Sequence, residues 1–197
     1  SPRVAAARPD PGASANEQWL KQYYFIRAAF SVLWVAAALT AGRHSFAVAA
    51  ALLIIYPAWD AIANVIDAAR SGGLAANRSQ AINVAASSVM TIAVILALTM
   101  NMNWVLGAFG LWAIFSGLLQ LGTAVRRWRT SGGQWVMILS GAQSSVAGAL
   151  FIFQAQRPQE PSIATVAGYA GVGAFYFLVS AIWLTIALSR RSMHPIS

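Results

Sequence analysis

Residues 46–68 read FAVAAALLIIYPAWDAIANVIDA. The run is apolar on every side from Phe46 to Ile55, and Asp60 and Asp67 are its only charged residues. It is too long for a strand, and it lacks the short alternating segments, about ten residues each, of a membrane β-barrel. A helix needs about 20 apolar residues to cross a bilayer, and a helix keeps its own backbone hydrogen bonds where no water is available. The stretch therefore reads as a membrane-spanning helix. Gly42-Arg43-His44-Ser45 marks its start and Ser71-Gly72-Gly73 its end.

The same pattern recurs on both sides. Apolar runs cover residues 23–41, 80–100, 104–125, 134–153 and 163–188, giving six spans with the one quoted. The loops are short. Asn101-Met102-Asn103 leaves spans three and four no choice but to be antiparallel neighbours. The expected organisation is a polar cytoplasmic tail over residues 1–18, a six-helix transmembrane domain over residues 19–191, and a short cytoplasmic tail over residues 192–197. The fold class is an all-α polytopic membrane bundle.

Composition supports this reading. Hydrophobic residues make up 58% of the chain and charged residues 9%, with a mean hydropathy of +0.61. Soluble domains carry about 25% charged residues. The net charge of +8 would suggest nucleic acid in a soluble protein, but here its distribution indicates topology. With the N-terminus inside, one side holds Arg3, Arg8, Lys21, Arg27, Arg70, Arg78, Arg126, Arg127, Arg129, Arg190 and Arg191, and the other holds Arg43 and Arg157. Basic residues in short loops stay in the cytoplasm, so both termini are expected inside, in a multi-pass protein whose partner is the lipid bilayer rather than nucleic acid. There is no cysteine, and the two histidines, His44 and His194, are far apart in sequence. No metal site, cofactor or catalytic constellation is expected, and the protein reads as non-enzymatic. No phosphate loop or dinucleotide fingerprint is present.

Short internal matches suggest duplication. Arg70-Ser71-Gly72-Gly73 parallels Thr130-Ser131-Gly132-Gly133, Ser87-Ser88-Val89 parallels Ser144-Ser145-Val146, and Gly107-Ala108-Phe109 parallels Gly173-Ala174-Phe175. Three helical hairpins follow, joining spans one and two, three and four, and five and six. A single hairpin cannot bury its own packing face, so repetition is a natural solution.

Within Gly117–Phe151, the residues Gly117, Leu121, Arg126-Arg127, Gly132-Gly133, Trp135, Gly141, Gly148 and Phe151 form a pattern that resembles the HdeD-type acid-resistance membrane proteins, which are built from short repeats. The resemblance implies a bacterial inner-membrane protein with six spans and a link to acid or envelope stress. It brings no catalytic residue with it. Tyr56-Pro57-Ala58-Trp59-Asp60 departs from the family pattern.

The candidate polar site lies in the quoted stretch. Tyr56, Asp60, Asn64 and Asp67 are spaced four, four and three apart, which places them on one helix face. An ionisable side chain at bilayer depth costs about 2.5–3.5 kcal/mol on insertion scales and needs a partner. Arg27 in span one lies at a comparable depth and is the expected partner of Asp67 or Asp60, with Arg70 an alternative for Asp67. Pro57 removes a backbone donor and is expected to kink the helix. Two readings of this face stand side by side: hydrogen-bonded packing, or a proton or ligand site. Milder polar stripes occur at Gln80, Asn83, Ser87 and Thr91, at Ser116, Gln120 and Thr123, and at Ser140, Gln143 and Ser144. Gly141, Ser145 and Gly148 form a small-residue face suited to close helix packing, within the bundle or between subunits. The functional expectations are a non-enzymatic HdeD-like membrane protein, a small proton-coupled transporter or channel using Asp60, or an accessory subunit. The last would sit in a homo-oligomer or a larger membrane complex.

Overall fold

A computed structural model describes residues 11–127 and 134–193. Among these residues there are six long helices and no strand: α1 (Pro11–Ala37), α2 (Phe46–Arg70), α3 (Arg78–Leu98), α4 (Met102–Arg127), α5 (Gln134–Ala155) and α6 (Ile163–Met193). Each is long and apolar enough to cross a membrane. Arg3, Arg8, Trp128, Arg129, residues 130–133 and His194 lie outside the described residues.

The helix ends have local causes. The Ser45 side chain accepts a hydrogen bond from the Val48 amide at 3.4 Å and caps α2. At its other end, Gly72 and Gly73 have φ of 96° and 90°, and the Gly73 amide returns to the Ala68 carbonyl at 2.7 Å. Side chains other than glycine rarely adopt such angles. Asn77 then ties the turn to α3 by donating to the Ser71 and Gly73 carbonyls, each at 2.8 Å.

One feature differs from the expected organisation. The tail expected over residues 1–18 is helical from Pro11, because proline suits the first turn of a helix and the added turns are held from outside. Glu17 pairs with Arg191 of α6 at 2.7 Å, and Trp19 bonds to Asp67 of α2. At its other end, α1 continues as a π-helical stretch, Ala38–Gly42. Helix α2 runs unbroken through the buried Pro57.

The helices form a ring in chain order. Its tightest contacts are α4 with α5, α1 with α6, and α2 with α3. The hairpins read from the sequence join one to two, three to four and five to six, so close packing is offset from them by one helix. Backbones approach where side chains are small, and glycine is concentrated on the facing sides of α4 and α5. A Cβ on Gly148 would stand 2.5 Å from the Gly110 carbonyl oxygen, and one on Gly141 would stand 2.8 Å from that of Gly117.

The start of α1 and the end of α6 lie at one end of the bundle, here called the terminal end, where Glu17 meets Arg191. The opposite, far half is solid. Trp34, Leu53, Val94, Val105, Phe109, Phe151 and Val166 belong to one continuous apolar core. They come from the late parts of α1, α3 and α5 and the early parts of α2, α4 and α6, which places all of them toward the far end. The terminal half is hollow.

Candidate functional site

The hollow is a cavity of about 1090 Å³ lined by all six helices. It reaches the terminal end at Arg78 and Ser79, which are exposed. Its deep side is formed by Tyr56, Trp112, Phe151 and Tyr169, next to the apolar core. Ser116, Gln120, Ser140 and Gln143 make much of the wall opposite Asp60 polar.

Asp60 is the hub. Arg27 of α1 forms an ion pair with its Oδ1. Ser87 of α3 donates to Oδ2 at 2.6 Å, and the Asn64 side-chain amide donates to the same oxygen at 3.3 Å. Three elements thus converge on one carboxylate. The arginine and aspartate side chains are 12% and 18% exposed, so the pair borders the cavity while being largely enclosed. Arg27 also donates to the Tyr23 hydroxyl at 3.1 Å and lies 4.6 Å from the Phe177 ring centroid. A cation against an aromatic face gains electrostatically, more so when desolvated. Removing one member of such a buried pair is strongly destabilising, because the other is left charged and alone.

The polar face of α2 is divided among three surroundings. Tyr56 sits in an aromatic cluster, with ring centroids 4.9 Å from Trp34 and 6.0 Å from Trp112. Asp60 and Asn64 line the cavity. Asp67 lies further toward the terminal end and accepts from Trp19 Nε1 at 2.9 Å and Gln80 Nε2 at 3.0 Å. Of the two partners named for Arg27, Asp60 has it. Arg70, the alternative for Asp67, instead lies over the Trp19 ring at 4.4 Å. Asp67 is buried and satisfied by neutral donors.

Gly141, Ser145 and Gly148 all pack within the bundle. A Cβ on Gly117 would clash with Ser145 Oγ and stand 2.5 Å from the Gly141 carbonyl oxygen. Ser145 Oγ itself donates to the Gly141 carbonyl at 2.9 Å.

Sequence reasoning did not single out Trp59 or Trp112 for the site. Trp59 stacks on Phe30 with centroids 4.8 Å apart, and its buried indole N–H has no hydrogen-bond partner among the described residues. Tryptophan at helical spacing in an apolar span is common, so no pattern marked either residue. Ser87 was visible as one member of a polar stripe and of a short internal match, neither of which pointed to Asp60.

These features define a six-span α-helical membrane protein with a polar vestibule at one end. Residues 85–153, from α3 through α4 into α5, match the family described as a short repeat of unknown function, DUF308. The glycine-rich stretch Gly117–Phe151 lies inside that match. No curated protein and no solved structure matches the chain.

Proposed function

We propose that this protein is a small, non-enzymatic membrane transporter whose vestibule is the solute site and whose Arg27–Asp60 pair is the gate. One observation carries this reading: a cavity lined by all six helices meets the only buried ion pair among the described residues, just short of a packed far half. The clustering of arginines at the terminal end favours a cytoplasmic opening. A proton arriving at Asp60 would cancel the carboxylate charge that holds Arg27 and would loosen α1 from α2 and α3. That is a physical route to proton coupling. The accessory-subunit reading has less support, because the glycine face that could have met another chain is used between α4 and α5.

The HdeD-like resemblance suggests the setting, a bacterial inner membrane under acid or envelope stress, and a proton-linked vestibule is compatible with it. The test is pH-gradient-driven proton flux in proteoliposomes, comparing the intact chain with Asp60→Asn. Flux lost in a folded Asp60→Asn protein supports the gate. Flux no greater than in empty liposomes, from folded intact protein, refutes autonomous proton coupling.

A further inference from the structure

The junction between α5 and α6 differs from the rest of the ring. These two helices are consecutive in the chain, yet their backbones do not pack closely. Side chains bridge the gap: Ser144 with the Tyr169 hydroxyl at 2.8 Å, Tyr176 donating to Gln143 at 2.6 Å, and Phe151 against Tyr169. The cavity continues between these bridges. Its lining includes Gln143, Ala147, Gly168 and Val172.

Helical geometry shows where that lining leads. Successive residues turn by about 100°. Gly168 stands one such step from Tyr169, beside Phe175, which is 62% exposed on the lipid-facing side, and away from the buried Ala170 and Ala174. Gln143 stands one step from Ser144, away from Gly141 and Gly148, which face α4. Gly168 and Gln143 are both exposed and both line the cavity. A Cβ placed on Gly168 would meet nothing within 4 Å. The vestibule is therefore continuous with the outer, bilayer-facing flank of the seam.

The chemistry of the vestibule indicates what would enter. Asp60 is engaged by Arg27, Ser87 and Asn64, which take three of its roughly four acceptor sites. A guanidinium carries five N–H donors, and the bonds of Arg27 to Tyr23 and Asp60 do not exhaust them. Arg78 at the mouth has no acidic partner among the described residues. The cavity offers spare donors and positive charge, with no spare carboxylate.

We propose that the α5/α6 seam is a lateral portal, through which a membrane-dissolved amphiphile places an anionic head, carboxylate or phosphate, in the vestibule while its chain stays in the seam. This rests on the vestibule reading above and names the substrate class for it.

The absence of cysteine from the chain makes a direct test practical. Ser116→Cys puts one thiol in the vestibule wall of the full chain in liposomes. Its rate of reaction with a membrane-impermeant maleimide is then measured with myristate, acetate or dodecyltrimethylammonium. With myristate at about ten times its Kd, labelling is expected to slow roughly tenfold. Acetate and the cationic amphiphile are expected to leave the rate unchanged. Gly168→Trp, which fills the open flank, is expected to abolish myristate protection, read as the ratio of protected to unprotected rate within that variant; Gly168→Leu serves if the larger residue impairs folding. Labelling that myristate does not slow overturns the amphiphile proposal and leaves the vestibule standing. So does protection by acetate or by the cation equal to that by myristate, or protection that survives the plugged seam. A thiol that never reacts removes the vestibule, and this proposal with it.

Discussion

Where α4 meets α5, backbone approaches backbone: Gly110 faces Gly148 and Gly117 faces Gly141, with no room for a Cβ between them. Where α1 meets α2, a long side chain reaches across instead: Arg27 pairs with Asp60, which also accepts from Ser87 of the closely packed α3 and from Asn64 of its own helix. In lipid, helices gain nothing from the hydrophobic effect on meeting each other, so packing and hydrogen bonds must hold them. The first contact uses dispersion at the shortest range and leaves no space. The second uses charge and hydrogen bonds, which act at longer range and can hold helices apart around a cavity. One region is closed by backbone contact, and the other borders the vestibule.

This contrast can be broken at graded points. The largest effect is expected from Gly148→Leu, whose side chain meets the Gly110 carbonyl and Ile114. Loss of more than about 4 kcal/mol, seen as failure to recover folded protein, is the expected outcome; normal thermal unfolding in detergent would show that α4 and α5 can separate freely. Next is Asp60→Leu, which leaves Arg27 enclosed without its carboxylate. It should cost about 3–5 kcal/mol, and the double variant Arg27→Met with Asp60→Leu should recover most of that, while flux stays absent. Stability restored together with flux would exclude the pair as a gate.

Ser87→Ala removes one donor to a charged acceptor and is expected to cost about 1.5–3 kcal/mol by the same unfolding assay. Gly73→Ala forces a Cβ into the left-handed region and should cost about 1–2 kcal/mol, with α2 and α3 otherwise intact by circular dichroism. The smallest effect belongs to Glu17→Gln. Its partner Arg191 is 69% exposed, and surface pairs contribute about 0–1 kcal/mol. A larger loss would mean that the start of α1 anchors the ring more firmly than that contact alone.

The six spans were legible because lipid demands long apolar helices and the loops between them are short and polar. The 4, 4, 3 spacing puts Tyr56, Asp60, Asn64 and Asp67 on one face of α2 by helical periodicity alone, and the first three of them line the cavity. The choice of Asp60 over Asp67 for Arg27 was not legible. Both carboxylates lay within plausible reach, and the decision depends on how far α1 slides along α2. The glycine face on α5 was readable, yet its partner could have been another subunit; Gly110 and Gly117 had to be placed opposite it in space. The cavity exists only because six helices close a ring, and no local stretch encodes that. The helical start at Pro11 was missed because the residues that hold it, Asp67 and Arg191, are distant in sequence.

The close contact between α1 and α6 has a consequence for how the protein is made. Helix α1 leaves the ribosome before the other five helices and its main neighbour α6 after the rest of them, so the ring stays open until α6 emerges. During that interval Arg27 sits in the bilayer without Phe177, the ring it finally faces. Asp60 arrives with the next helix, and Ser87 with the one after. The Arg27–Asp60 pair would thus also serve as an early chaperone for α1, neutralising a membrane-embedded cation until α6 closes the circle.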